Sequence, residues 1–63
     1  MTVAELKRKL RKYKCVFVQH GGSHDEWYSP ITGKSFRVPR HDSQELKTGT
    51  AEAIMKQAGI KLR

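Results

Sequence analysis

A single cysteine, Cys15, stands among 63 residues. It excludes an intramolecular disulfide, the brace by which many small secreted domains compensate for a thin core. It also excludes a zinc site built from four cysteines. No apolar run is long enough for a signal peptide or a membrane span, because charged residues follow Met1 within a few positions. A cytoplasmic, reduced protein is expected. Acidic residues are scarce as well. Six Asp and Glu against 13 Lys and Arg leave a net charge of +7. Such an excess on a small body gives a strongly positive surface potential and points to a polyanionic partner, most often nucleic acid. A membrane-surface helix would need bulky Trp, Phe or Leu on its apolar face. An acidic protein partner also suits the charge.

What remains reads as one domain over residues 1–63, without repeats or linkers. A chain this short buries only about 60% of its unfolded surface. In "TVAELKRKLRKYK", Thr2 stands three residues before Glu5, the spacing of a capping box. Val3, Leu6, Leu10 and Tyr13 then recur at helical spacing, so a helix with one apolar stripe is expected. "CVFVQ" is β-branched and aromatic and reads as a strand that looks mostly buried, with Cys15 as a small core hydrophobe. "DEWYSP" is a second strand, closed by Pro30. Gly33 turns the chain, and "KSFRVP" is a third strand with Phe36 and Val38 on one face. The polar connector "HDSQELKTGT" is expected to hold a brief helical turn at Ser43 to Leu46. Thr50 is then expected to cap a second helix that buries Ala51, Ile54, Met55 and Ala58. Gly59 suits the left-handed position after it, and Ile60 the apolar contact beyond. The order α-β-β-β-α with short connections implies an α+β two-layer sandwich: a three-stranded antiparallel sheet, both helices on one face, the other face open.

The chemistry concentrates in "QHGGSHDEWYSP". A Gly21-Gly22 turn joins the first two strands and delivers Ser23 and His24 at the start of the second, which gives His24 a defined direction. Its unperturbed pKa, about 6.5, suits proton transfer near neutrality. His20 and His24 have an H-x3-H spacing, but they straddle a turn and lack the paired cysteines of a zinc finger. His41 is the one further candidate ligand, and no spacing favours it, so no metal or cofactor is expected. Ser23, His24 and Asp25 are adjacent on a strand, point to alternate faces and cannot form a triad. Trp27 and Tyr28 likewise alternate: one belongs to the core and the other is placed to stack on a base. A lone histidine on a basic surface is left, either filling a turn or acting on RNA. RNA carries its own nucleophile, the 2′-hydroxyl, so one or two proton-transfer groups and some cations are enough to cleave it without metal.

The ordered set Gly22-Ser23-His24, Val38-Pro39-Arg40-His41, Glu45-Leu46-Lys47 and Gly49-Thr50, closed by "AIMKQAGI", resembles the HicA family of toxin–antitoxin mRNA interferases. The resemblance covers nearly the whole chain. It implies a double-stranded-RNA-binding-domain-like fold. It further implies a type II toxin that cleaves mRNA independently of the ribosome, with the family's catalytic histidine at His24. The implied partner is a HicB-type antitoxin that masks His24. Many members carry a second histidine directly after the first; here that position is Asp25, a carboxylate expected to weaken phosphate approach slightly. His41 falls in the family motif, and a capping or hydrogen-bonding role after Pro39 is expected for it. Lys7, Arg8, Lys12, Lys34, Arg37 and Arg40 are the expected RNA contacts, Gly21, Gly22 and Ser23 the turn that positions His24, and the free toxin is expected to be a monomer. A non-catalytic double-stranded RNA-binding module is the main alternative, and a domain that only docks a partner protein is another. Neither would need His24.

Overall fold

Thr2 starts the first helix. In the computed structural model, which describes residues 1–60, its hydroxyl accepts the backbone N–H of Glu5 while the Glu5 carboxylate accepts that of Thr2. The expected capping box is therefore formed. The N–H groups of Val3 and Ala4 donate to the carbonyls of Gln44 (2.9 Å) and Asp42 (3.0 Å). The amides that a helix N-terminus leaves bare are thus satisfied by the connector. The helix, α1 (Val3–Lys12), buries Val3, Leu6 and Leu10. Tyr13, expected on the same stripe, is instead the C-cap and is exposed, because the chain leaves the helix there through a left-handed Lys14 (φ 72°). Lys14 N–H donates to Arg11 O and Cys15 N–H to Leu10 O, both at 3.0 Å. This is a Schellman motif with lysine where glycine is usual.

Strands β1 (Val16–His20), β2 (His24–Ser29) and β3 (Lys34–Pro39) form an antiparallel sheet in that order, with β2 central. Side-chain alternation divides it cleanly. Asp25, Trp27 and Ser29 of β2 are buried, and His24 and Tyr28 exposed. Phe36 and Val38 of β3 lie opposite Trp27 and Asp25. Helix α2 (Thr48–Gln57) adds Ala51, Ile54 and Met55 to the same side. One core results, between the helices and one face of the sheet. The architecture is the expected α-β-β-β-α sandwich.

Two contacts lock α2 onto it. Ser29, fully buried, donates its hydroxyl to Ala58 O at 2.6 Å and accepts the N–H of Ile31. Gly59 (φ 80°) and Ile60 then close the helix, their N–H groups donating to Lys56 O and Met55 O. A Cβ on Gly59 would stand 2.8 Å from the methyls of Ile31 and Thr32.

Three further expectations are corrected. The first strand is not buried: all five residues of β1, at one edge of the sheet, are exposed, and the core draws its sheet residues from β2 and β3. Cys15 lies just before β1 and is buried in the core, so its role as a small hydrophobe stands. Thr50 does not cap α2; the helix starts at Thr48, with Lys47 as N-cap and no side-chain cap bond. Ser43 to Leu46 form no helical turn. Glu45 pairs with Thr2 as an isolated bridge, and Leu46 N–H donates to Met1 O at 2.8 Å. Pairing with the chain start satisfies that backbone and drops Leu46 into the core. Among the described residues, no helix is long and apolar enough to cross a membrane.

Candidate functional site

β1 passes to β2 through Gly21-Gly22-Ser23. Gly21 N–H donates to His24 O at 2.8 Å, and a Cβ on Gly21 would stand only 2.8 Å from that same oxygen. The tightness of the turn therefore requires glycine there. Arg40, just beyond β3, reaches back and donates from Nη1 to Gly22 O (2.8 Å) and Gly21 O (3.4 Å). The turn is clamped from across the sheet. His24 opens β2 opposite Pro39, on the face away from the helices, and is exposed. Its Nδ1 lies 3.2 Å from Ser23 Oγ. Two open cavities of about 600 and 780 Å³ share Gly22, Ser23, His24 and Asp25 in their walls.

Asp25 lies on the opposite face. Its side chain is 5% exposed, with Oδ1 2.7 Å from His20 Nδ1 and 3.4 Å from Arg40 Nε, and Oδ2 3.9 Å from Lys7 Nζ. The expectation that this carboxylate would hinder phosphate approach is corrected: it shares the parity of Trp27, so it points under the turn. Lys7 Nζ is also 2.7 Å from Asp42 Oδ1. That hydrogen bond, then the Lys7 charge, holds the Asp42 carboxyl below its ordinary range. His20 packs its ring against Phe17, centroids 5.0 Å apart, and remains 65% exposed. The His20–Asp25 pair was missed from the sequence. Its signal was there: residues 25 and 27 share a face, and Trp27 is a natural core residue.

The expected RNA contacts separate into groups. Lys7 is engaged by Asp42 and Asp25, and Arg40 by the turn carbonyls and Asp25. Arg8 and Lys12 line a separate hollow with Glu5 and Lys9 that shares no residue with either cavity at the turn. Lys34 pairs with Ser29 at the far end of the β2–β3 ladder, five residues and so roughly 17 Å from the His24 end. Arg37 stands opposite Glu26 on the outer face and shares a cavity wall with His24. Gln19 and then Ser35 hydrogen-bond the Glu26 carboxylate and keep its pKa below the ordinary value. His41 lines the larger cavity. Trp27 is in the core, with Arg11 over its ring at 5.4 Å, and Tyr28 is exposed on the outer face. His20 and His24 point to different faces, and among the described residues no three His, Cys, Asp or Glu converge as metal ligands.

Comparison with curated proteins and with solved structures gives no significant match. The family model described as the HicA toxin of bacterial toxin–antitoxin matches residues 3–60. That span takes in both helices, all three strands and the turn that carries His24. With so much of its length matched, the chain belongs to the HicA toxins of bacterial toxin–antitoxin systems.

Proposed function

We propose that this toxin is an mRNA interferase that cleaves RNA without metal and without the ribosome, with His24 moving the proton of the 2′-hydroxyl. One observation carries the reading: an exposed imidazole at a clamped turn that lines two open cavities, one of them shared with Arg37 and the other with Lys7 and Arg40. Ser23 Oγ is within reach of Nδ1. When Nδ1–H donates to that oxygen, Nε2 is bare and accepts a proton. The 2′-oxygen attacks the adjacent phosphorus as its proton leaves, and nearby cations offset the charge that builds on the phosphoryl oxygens. A positioned base contributes about 10²–10⁴-fold to such a step. Membership in the family implies a cognate antitoxin. In this reading it is of the HicB type and covers His24, and the free toxin is a monomer.

The test is purified protein with an mRNA transcript in EDTA, without ribosomes. Cleavage by the wild type and none by His24→Ala is the expected result. His24 is exposed, so the variant opens no core cavity and keeps its fold. Activity that disappears in chelator and returns with a divalent cation overturns the metal-free mechanism. RNA binding without cleavage by the wild type makes the protein a binding module instead.

A further inference from the structure

Cleavage through the 2′-hydroxyl needs a second proton transfer. The base activates the nucleophile, but the departing 5′-oxygen is a poor leaving group until a proton reaches it. We propose that His20, held by the buried carboxylate of Asp25, is the general acid that supplies this proton; the assignment rests on the nuclease reading of His24 above.

Three observations converge on His20. The first is its partner. Asp25 is buried to 5% exposure and its Oδ1 stands 2.7 Å from His20 Nδ1. An ionised carboxylate only accepts, so Nδ1 carries the hydrogen and the ring is fixed in orientation. Nε2 is then the atom that delivers or receives the mobile proton. The second is access. The His20 side chain is 65% exposed although its partner is not, so the tethered ring still meets solvent. The third is placement. His20 ends β1 and His24 begins β2, on either side of the Gly21-Gly22-Ser23 turn, and both line the cavity of about 780 Å³. His20 pairs with Asp25 and leans to the helix side, whereas His24 faces outward. In-line displacement sets the entering and leaving oxygens on opposite sides of phosphorus. Two imidazoles on opposite sides of one turn suit a phosphate lodged at its rim.

His41 lines the same cavity, but among the described residues its ring has no hydrogen-bond partner to orient it. Asp25 is a positioning residue, since the buried carboxylate acts through His20.

The step balances. His24 takes the 2′-O–H proton, and the 2′-oxygen forms a bond to phosphorus. The bond from phosphorus to the 5′-oxygen breaks, and that oxygen takes the Nε2 proton of His20. The products are a 2′,3′-cyclic phosphate and a 5′-hydroxyl. His24 ends protonated and His20 neutral, and exchange with water resets both.

A leaving group that needs no proton isolates this role. The substrate is an RNA oligonucleotide with one cleavable linkage, made with either the ordinary 5′-oxygen or a bridging 5′-sulfur, whose thiolate departs unprotonated. The variant is His20→Asn, whose amide N–H replaces Nδ1–H toward Asp25 but carries no transferable proton. The variant is expected to lose about 10²-fold or more on the oxygen substrate and to return to within about tenfold of wild type on the sulfur substrate. That recovery also shows that the variant is folded. His24→Ala is expected to be inactive on both substrates. An equal loss on both substrates by His20→Asn, or a wild-type rate on the oxygen substrate, overturns the role of His20 and leaves that of His24 intact. A wild type that cleaves neither substrate overturns the nuclease reading, and this assignment with it.

Discussion

Lys7 touches two carboxylates, and distance and burial disagree about which matters more. Asp42 is the closer at 2.7 Å, but its side chain is 66% exposed; Asp25 is 3.9 Å away and 5% exposed. Burial should decide. An exposed pair forms in high dielectric and contributes about 0–1 kcal/mol, so Asp42→Ala should cost less than about 1 kcal/mol. Asp25→Ala removes the hydrogen-bond partner of His20 at 2.7 Å and the ion-pair partner of Arg40 at 3.4 Å. A hydrogen bond to a charged group is worth roughly 1.5–3 kcal/mol. Two effects keep the total low: the carboxylate no longer has to be desolvated, and the cations retain alternatives. His20 faces water, Arg40 keeps Gly22 O, and Lys7 keeps Asp42. A net loss of about 2 kcal/mol is expected, against a total stability of about 3–9 kcal/mol for a chain of this length. In a domain of this size it corresponds to a fall in Tm of about 8–16 °C. Urea and thermal unfolding followed by circular dichroism measure both variants. If Asp42→Ala costs as much as Asp25→Ala, or Asp25→Ala leaves stability within about 0.5 kcal/mol of wild type, the carboxylate is not the anchor of this end of the sheet.

Two further perturbations test how the helices are held. Ser29→Ala strands Ala58 O without the 2.6 Å bond it accepts, at an expected cost of about 1–3 kcal/mol read as a lower urea midpoint at constant slope; an unchanged midpoint would show that the bond contributes nothing. Lys14→Gly relieves the positive φ of 72°, which costs an L residue roughly 1–2 kcal/mol. Part of that gain is cancelled by the greater entropy glycine loses on folding, so a net stabilisation of about 0.5–1 kcal/mol is expected; a destabilised variant would mean that the Lys14 side chain makes contacts worth more than the strain.

The elements with a local physical cause were legible in advance. The capping box depends on residues three apart, and the closing turn of α2 on Gly59 and Ile60, so both could be recognised without knowing the fold. Expectations failed where a distant partner decided. The connector looked helical at Ser43 to Leu46, yet its backbone bonds to Met1 and Val3, more than forty positions away. Thr50 is a good capping type by itself, but Lys47 already occupies the N-cap. β1 reads as a buried strand because Val16, Phe17 and Val18 are apolar; composition does not say that the strand falls at the sheet edge, outside the core that Trp27, Phe36 and Val38 build.

The site divides along the same line. The Gly-Gly turn and the direction of His24 follow from short-range geometry, and both could be read from residues 21 to 24. The clamp could not. Arg40 stands eighteen positions from Gly22 and reaches it only because β3 pairs with β2 in a register that sets Pro39 opposite His24. Nothing in the composition of β3 fixes that register. Asp25 lies between the two cases. Alternation already placed it on the face of Trp27, where a carboxylate is costly unless cations surround it. A buried acid in a chain with 13 Lys and Arg is itself a sign that some of those cations are internal ties. Lys7, 12% exposed, is one such tie; Arg40 holds the turn and the same carboxylate while its side chain stays 42% exposed. Both are drawn toward the turn by one carboxylate.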